Sequence, residues 1–295
     1  MIAVPKSWQK KTITLNAQKF HLNLWGNPQK PLLLFLHGWL DVGASFAPMA
    51  AHLEKHYFMI APDQRGFGKS SNTPNPLGYF FYEYLADVDQ MVKRLSPNKP
   101  IRLIGHSMGG NIAGLYAGTF PEKVKTLVNI EGFGIRDMDP SEGPGRMRDW
   151  IDGMVPRRFR VYKNLQELAK RLQKTNPNLK SDMALFLAKQ IGKKGPKGYQ
   201  IMSDPRHKWV QPYLFRLDQI VPFWQNIQAK TLNIIAENTE MGPLLERPKN
   251  LHKAIDQRLQ YFPKSAKKIV IKDCGHMIHH EKPEELAKII RDFVK

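Results

Sequence analysis

An α/β architecture on a mainly parallel sheet follows from three features of this chain. Short apolar, strand-like runs alternate with helix-periodic segments. Some of those runs are apolar at every position, as strands buried on both faces are. One of them passes straight through a Gly-x-Ser-x-Gly turn into a helix-compatible stretch.

The elements read in order. Thr12 to Leu15 and Phe20 to Leu24 alternate apolar with polar residues and predict an opening pair of strands. Pro31 to Leu36 is continuously apolar, the pattern of a central parallel strand. A helix is expected over Ser45 to Lys55 and a strand over Tyr57 to Ala61; Tyr82 to Leu95 then sets Leu85, Val88, Val92 and Leu95 on one helical face. Ile101 to Ile104 leads into the Gly-x-Ser-x-Gly turn, and Gly110 to Thr119 is the helix after it. Further strands are expected at Val124 to Ile130, Thr231 to Ala236 and Lys268 to Ile271. The closing helix carries Pro283 at its first position, Glu284 and Glu285 in its first turn, and Leu286, Ile289, Ile290 and Phe293 on one face.

One interval breaks the rhythm. Residues 135–228 hold helical patches at Leu165 to Leu172, Ser181 to Gln190 and Phe215 to Ile227, no convincing strand, and dense Gly/Pro punctuation, including Gly143-Pro144-Gly145 and Gly192 to Gly198. Its aromatics, among them Trp150, Phe159, Phe186 and Trp224, need a core, so it reads as a helical cap inserted into the sheet domain and not as a linker. It carries 18 Lys and Arg against 9 Asp and Glu.

With 295 residues the chain buries enough surface to need no staples. The single cysteine, Cys274, excludes an internal disulfide and any multi-cysteine metal site. It ends the apolar run Ile269 to Ile271 and reads as a buried structural thiol. The N-terminal stretch, broken by Pro5, Lys6, Lys10 and Lys11, lacks the apolar core of a signal peptide, and no apolar run is long enough to span a membrane, so a cytoplasmic protein is expected. The net charge of +19 points to anionic partners, although the cations are dispersed, as on a solvated surface, and no specific nucleic-acid partner is expected.

The chemistry centres on Gly105-His106-Ser107-Met108-Gly109. Between strand and helix, such a turn holds the serine on a strained elbow with glycines on both sides, where a Cβ would collide with the backbone, and lifts the hydroxyl above the sheet. Ser107 is the candidate nucleophile. A serine needs a base, and among ten histidines His276 is best placed, on the loop Asp273-Cys274-Gly275-His276 between the last strand and the last helix. His279 and His280 read as capping or surface residues, and His106 as packing beside the elbow. The segment His37-Gly38-Trp39 follows the first parallel strand, where a loop N–H joins that of the residue after the nucleophile in an oxyanion hole, so the backbone donors are Trp39 and Met108. Gly68-Lys69-Ser70 matches the end of a phosphate-binding P-loop, but Asp63 stands where that motif needs its first glycine, and the segment reads as structural.

Taken together, His37-Gly38-Trp39, then Asp63-Gln64-Arg65-Gly66-Phe67-Gly68-Lys69-Ser70, then Gly105-His106-Ser107-Met108-Gly109-Gly110, then Gly275-His276 resemble the α/β-hydrolase family over essentially the whole chain. The resemblance is closest to its capped serine-hydrolase branch, itself similar to haloalkane dehalogenases and epoxide hydrolases. It implies an eight-stranded, mostly parallel sheet with helices on both faces, a core domain of residues 1–134 and 229–295, and a cap of 135–228 after the sixth strand. It also implies acyl transfer through a serine ester with no metal and no cofactor. Both named relatives use an aspartate nucleophile, and Ser107 argues against either activity.

The acid departs from the family pattern. Where an aspartate usually follows the seventh strand this chain reads Ala236-Glu237-Asn238-Thr239-Glu240, with Thr239 at the expected position. Some branches place the acid after the sixth strand, where Glu131 stands at the end of an apolar run. A carboxylate there is costly unless paired. Glu131 is the leading acid, with Glu240 or Glu237 the alternative. The expected function is a serine hydrolase acting on a small-molecule carboxylic ester or related acyl compound. The alternatives are carbon–carbon bond hydrolysis, lactone opening or perhydrolysis on the same fold, or a silent binding protein on the same scaffold.

Overall fold

The structure, a computed structural model, describes residues 2–245 and 248–295. Strands β1 (Gln9–Leu15) and β2 (Gln18–Trp25) form the opening hairpin, followed by β3 (Leu32–Leu36), the single turn α1 (Ala47–Ala50), β4 (Phe58–Pro62), α2 (Glu83–Leu95), β5 (Ile101–His106), α3 (Met108–Thr119) and β6 (Val124–Ile130). The intervening segment contains α4 (Gly143–Gly153), α5 (Leu165–Thr175), α6 (Ser181–Ile191), the hairpin β7 (Gly192–Gly195) and β8 (Gly198–Ile201), and α7 (Leu217–Gln225). The chain then completes β9 (Lys230–Ala236), α8 (Leu251–Leu259), β10 (Lys267–Ile271), α9 (Ile278–Glu281) and α10 (Pro283–Val294).

Eight strands make one sheet in the order β1-β2-β4-β3-β5-β6-β9-β10. Only the β1–β2 and β2–β4 pairs are antiparallel. From β4 to β10 every pairing is parallel. Strands that all point one way bring their carboxyl ends to one edge, so the loops after β3, β5, β6, β9 and β10 gather there.

Both sheet faces are covered, and strand alternation decides which residue serves which. In β3, Leu34 and Leu36 join the core beneath α2, α3 and α7 with Val88, Tyr116 and Trp224. Leu33 and Phe35 join the opposite core with Phe46 just before α1, Met49 from α1, and Leu286 and Ile290 from α10. Among the described residues no helix is long and apolar enough to cross a membrane.

Three elements differ from expectation. The helix expected over Ser45 to Lys55 is reduced to a 3₁₀ turn, one α turn and further turns, because His52, Leu53 and His56 bond three residues back instead of four. Gly143-Pro144-Gly145 opens α4 instead of breaking the chain: Pro144 needs no N–H partner in a first turn, and Asp139 with Glu142 builds a capping box just before it. The interval also contains the strands β7 and β8, whose glycines and exposed lysines carry no apolar alternation to betray them. Its last helix, α7, seats Ile220 and Trp224 in the main core against α3.

Candidate active site

Ser107 sits between β5 and α3 with φ 55° and ψ −118°, a conformation side chains disfavour and the surrounding backbone imposes. Its N–H donates to Ile130 O at 2.8 Å and its carbonyl accepts from Asn111 N at 3.0 Å. The flanking glycines have steric reasons. A Cβ on Gly105 would lie 2.2 Å from Gly109 O, and one on Gly109 the same distance from Leu36 O. Met108 is the first helical residue, so no carbonyl one turn earlier takes its N–H.

The loop after β3 lies against the elbow. A Cβ on Gly38 would meet Ser107 Cβ at 3.3 Å. His37 holds this loop in place: its Nε2 accepts from Gln64 N at 2.9 Å, its Nδ1 donates to Gly38 O at 2.7 Å, and Gln64 Nε2 donates to His37 O at 2.6 Å. Trp39 is 52% exposed, and among the described residues its N–H meets no protein acceptor.

Glu131 follows β6 at φ 57° and is fully buried. Its Oε1 accepts from Ala236 N at 2.8 Å, and its Oε2 accepts both the Thr239 hydroxyl and, at 3.0 Å, His276 Nδ1. A buried carboxylate is thus satisfied on every side, which is what its burial demands. The other two acids meet the backbone of the histidine's loop and not its ring. Glu240 Oε2 accepts His276 N at 2.7 Å, and Glu237 Oε2 accepts Asp273 N at 3.0 Å. No hydrogen bond joins Ser107 to His276 here; such contacts are often long in unliganded sites and tighten around substrate.

A cavity of about 770 Å³ is walled by Trp39 and His276 from the sheet edge and by Phe159, Tyr162, Leu179 and Leu187 from the interval after β6. The description that matches this sequence, over residues 31–283, is "alpha/beta hydrolase fold". The chain belongs to the α/β-hydrolase family. It is 27% identical to a "serine hydrolase-like protein" of Danio rerio, an alignment covering 92% of this chain and 84% of that one. It is 26% identical to a "probable serine hydrolase" of Drosophila melanogaster, over 98% of this chain and 88% of that one. Among solved structures, the thioesterase domain from the curacin biosynthetic pathway superposes with a TM-score of 0.83 at 23% identity, covering 97% of this chain and all of that one, a likeness of fold.

Beneath the site the hydrolase contains a buried network that sequence reasoning missed. His279 and His280, expected at a surface or a cap, are both buried. Asp41 is the reason. Its Oδ2 takes His279 Nε2 at 3.1 Å and the Ser45 hydroxyl at 2.8 Å, with His280 Nε2 at 3.5 Å, while Oδ1 accepts Val42 N at 2.9 Å. Burial raises the Asp41 carboxyl, but the contacts from His279 and His280 outweigh it and hold the group well below the usual carboxylate range. Burial also lowers His279 to about 3 and His106 well below its ordinary value, so an ionised Asp41 accepts from a neutral imidazole. His106 Nε2 donates to His276 O at 2.9 Å and so ties the elbow to the histidine loop. Asp41, His106 and His279 form a group compact enough to consider for a metal, but the Asp41 oxygens are already filled by protein donors. The signal available in the sequence was an aspartate four residues after His37 and a histidine doublet three residues after His276.

The remaining motif residues are structural. Asp63 Oδ1 accepts Gly43 N at 2.8 Å and Oδ2 accepts Lys69 N at 2.9 Å, while Arg65 forks onto Asp87 at 2.5 and 2.6 Å. Cys274 is fully buried, and burial pushes its thiol up to about 12.

Proposed function

We propose that this protein is a serine hydrolase that cleaves a carboxylic ester or related acyl compound through an acyl-enzyme. The observation that carries the reading is the hydrogen bond from His276 Nδ1 to the buried Glu131 carboxylate at 3.0 Å, on the same sheet edge as the Ser107 elbow. In this scheme Glu131 fixes the tautomer that leaves Nε2 free, and His276 takes the Ser107 proton as Oγ attacks the acyl carbon. The oxyanion formed there accepts from the N–H groups of Trp39 and Met108. The protonated His276 then gives its proton to the leaving oxygen, and a water activated by the same imidazole hydrolyses the ester on Ser107.

Residues 135–228 act in this proposal as the cap that shapes the acyl pocket. Its support is the apolar part of the cavity wall, Phe159, Leu179 and Leu187, in the cavity that His276 also lines. The names of the serine hydrolase-like relatives support the same chemistry.

The test is fluorophosphonate labelling followed by mass spectrometry of the modified peptide, with p-nitrophenyl esters of rising chain length as substrates. Label on Ser107 alone, abolished with ester turnover in Ser107→Ala, is the expected result. Label on Ser70, Ser71 or Cys274 with Ser107 unmodified overturns the assignment.

A further inference from the structure

Helix α4 and its C-cap residue Met154 set Met147, Trp150, Ile151 and Met154 at the i, i+3, i+4, i+7 spacing of one apolar stripe. Such a stripe normally faces a core, yet no residue of α4 is buried. Met147 is 43% exposed and Ile151 55%, and the apolar run continues past the helix into exposed Val155. A Cβ on Gly145 or Gly153 would meet nothing within 4 Å, so the helix stands clear of the body on those sides. Arg146 Nε donates to Gln211 O and Trp209 Nε1 to Val155 O, which hold the segment in place; Trp150 and Met154 are half-buried, while Met147 and Ile151 stay exposed.

A collar of cations follows directly. Arg157 and Arg158 come three and four residues after Met154, and Arg158 with Phe159 shares an open cavity of about 820 Å³ with Lys193, Lys194 and Lys197 of the β7–β8 hairpin. No Asp or Glu stands in that cavity wall, and the hairpin itself contains none. Gln200 Nε2 donates to Phe159 O at 3.0 Å and fastens the hairpin to the arginine segment.

We infer that α4 and this collar form a docking surface for an anionic phospholipid bilayer, with the Met147–Ile151 stripe entering the acyl boundary and Arg157, Arg158 and the hairpin lysines meeting lipid phosphates. Amphipathic helices bind interfaces through these two terms together, apolar burial and attraction to anionic lipid. Charge complementarity decides the occupant. A second copy would bring the same cations against themselves, and a nucleic acid would use the cations but leave the stripe in water. The inference concerns the surface alone and does not depend on the chemistry proposed for Ser107.

The test is co-sedimentation of the full chain with vesicles of pure phosphatidylcholine and with vesicles containing about 30 per cent phosphatidylserine. The expected partition is at least about tenfold higher on the anionic vesicles, and it falls steeply between about 0.1 and about 0.5 M salt. The double variant Met147→Glu/Ile151→Glu and the triple variant Lys193→Glu/Lys194→Glu/Lys197→Glu should each lose about tenfold or more of that partition, with unchanged thermal melts and unchanged turnover of any soluble ester the wild type cleaves. Equal binding to both vesicle types, or no binding, overturns the inference. So does binding that survives the Met147/Ile151 change and is matched by duplex DNA, which would mean a polyanion site. A wild-type dimer that the Met147/Ile151 variant dissociates would assign the stripe to a second copy instead.

Discussion

Thr239 donates its hydroxyl to the same Glu131 oxygen that His276 Nδ1 meets, so the residue standing where the family usually has its acid supports a carboxylate delivered from another strand. In the proposed triad the two positions exchange parts across the β6–β9 pair: Glu131 would supply the charge at the end of β6, and Thr239, just beyond β9, a donor.

That exchange gives the first prediction. Glu131→Gln keeps the shape, removes the counter-charge and favours the wrong imidazole tautomer, so kcat on a soluble ester should fall on the order of 10³ to 10⁴. Glu240→Gln and Glu237→Gln disturb only backbone contacts of the histidine loop and should each lose less than about tenfold, around 1.4 kcal/mol of barrier. Parallel kinetics on the three variants, with thermal melts alongside, check the ranking. The reverse order would assign the acid to the segment after β9.

Thr239→Val is the second prediction. Valine has nearly the threonine shape, so packing is preserved while Glu131 Oε2 loses one of its two donors. A hydrogen bond to a buried charged group contributes about 1.5–3 kcal/mol. The variant should lose stability in that range, and kcat should drop about tenfold as the carboxylate loses its fixed orientation. Denaturant melts and kinetics on one preparation read both effects.

How far the sequence disclosed all this depends on the kind of constraint involved. The sheet was legible because parallel strands leave continuous apolar runs: Val124 to Ile130 was placed to the residue, and the opening strands fell short by polar flanks such as Gln9 to Lys11, which carry no alternation, and by Trp25 at the end of β2. The elbow was legible because Gly105 and Gly109 answer to backbone atoms a few residues or one strand away. The hairpin β7–β8 was not, because its strands fully bury no residue, Ile201 alone among them packing partly against a core, and are held mainly by main-chain pairing. Nor was the role of His279: its burial is set by Asp41, 238 residues earlier, and no local pattern records a contact at that separation.

The elbow glycines yield a third prediction, with its own control. Gly109→Ala would place a Cβ 2.2 Å from Leu36 O; the oxygen belongs to the backbone and the Cβ is fixed directly to it, so neither can swing aside. The variant should lose more than about 2 kcal/mol of stability, since a forced backbone shift in a packed region costs more than an added methyl gains. Gly145→Ala, in α4 with nothing within 4 Å, should instead be neutral or gain up to about 1 kcal/mol from helix propensity. Melts of both variants beside the wild type test the contrast.

The last prediction concerns acid. His279 is lowered to about 3 by burial, His207, stacked between Phe67 and Tyr79, to about 3 for the same reason, and buried His106 well below its ordinary value. Each is neutral when folded, whereas in the unfolded chain each takes a proton near the ordinary value of 6.5. The unfolded state therefore binds more protons below that pH, and the stability these groups leave intact above pH 6.5 is lost as the pH falls toward their folded values. Each contributes a slope of about 1.4 kcal/mol per pH unit once its unfolded form is fully charged. The melting temperature should thus hold near neutrality and fall steeply between about pH 6 and about pH 4, before Asp41, held well below the usual range, begins to protonate. His279→Gln keeps a donor for Asp41 but has no proton to gain, so its profile should be shallower by one group's slope. Its stability at pH 7.5 is expected to be lower than wild type, because the glutamine fills less of the space against Phe46, whose ring lies 4.8 Å from that of His279. Melts at half-unit intervals of pH for both proteins measure the difference, and parallel profiles would mean that His279 is not the group responsible.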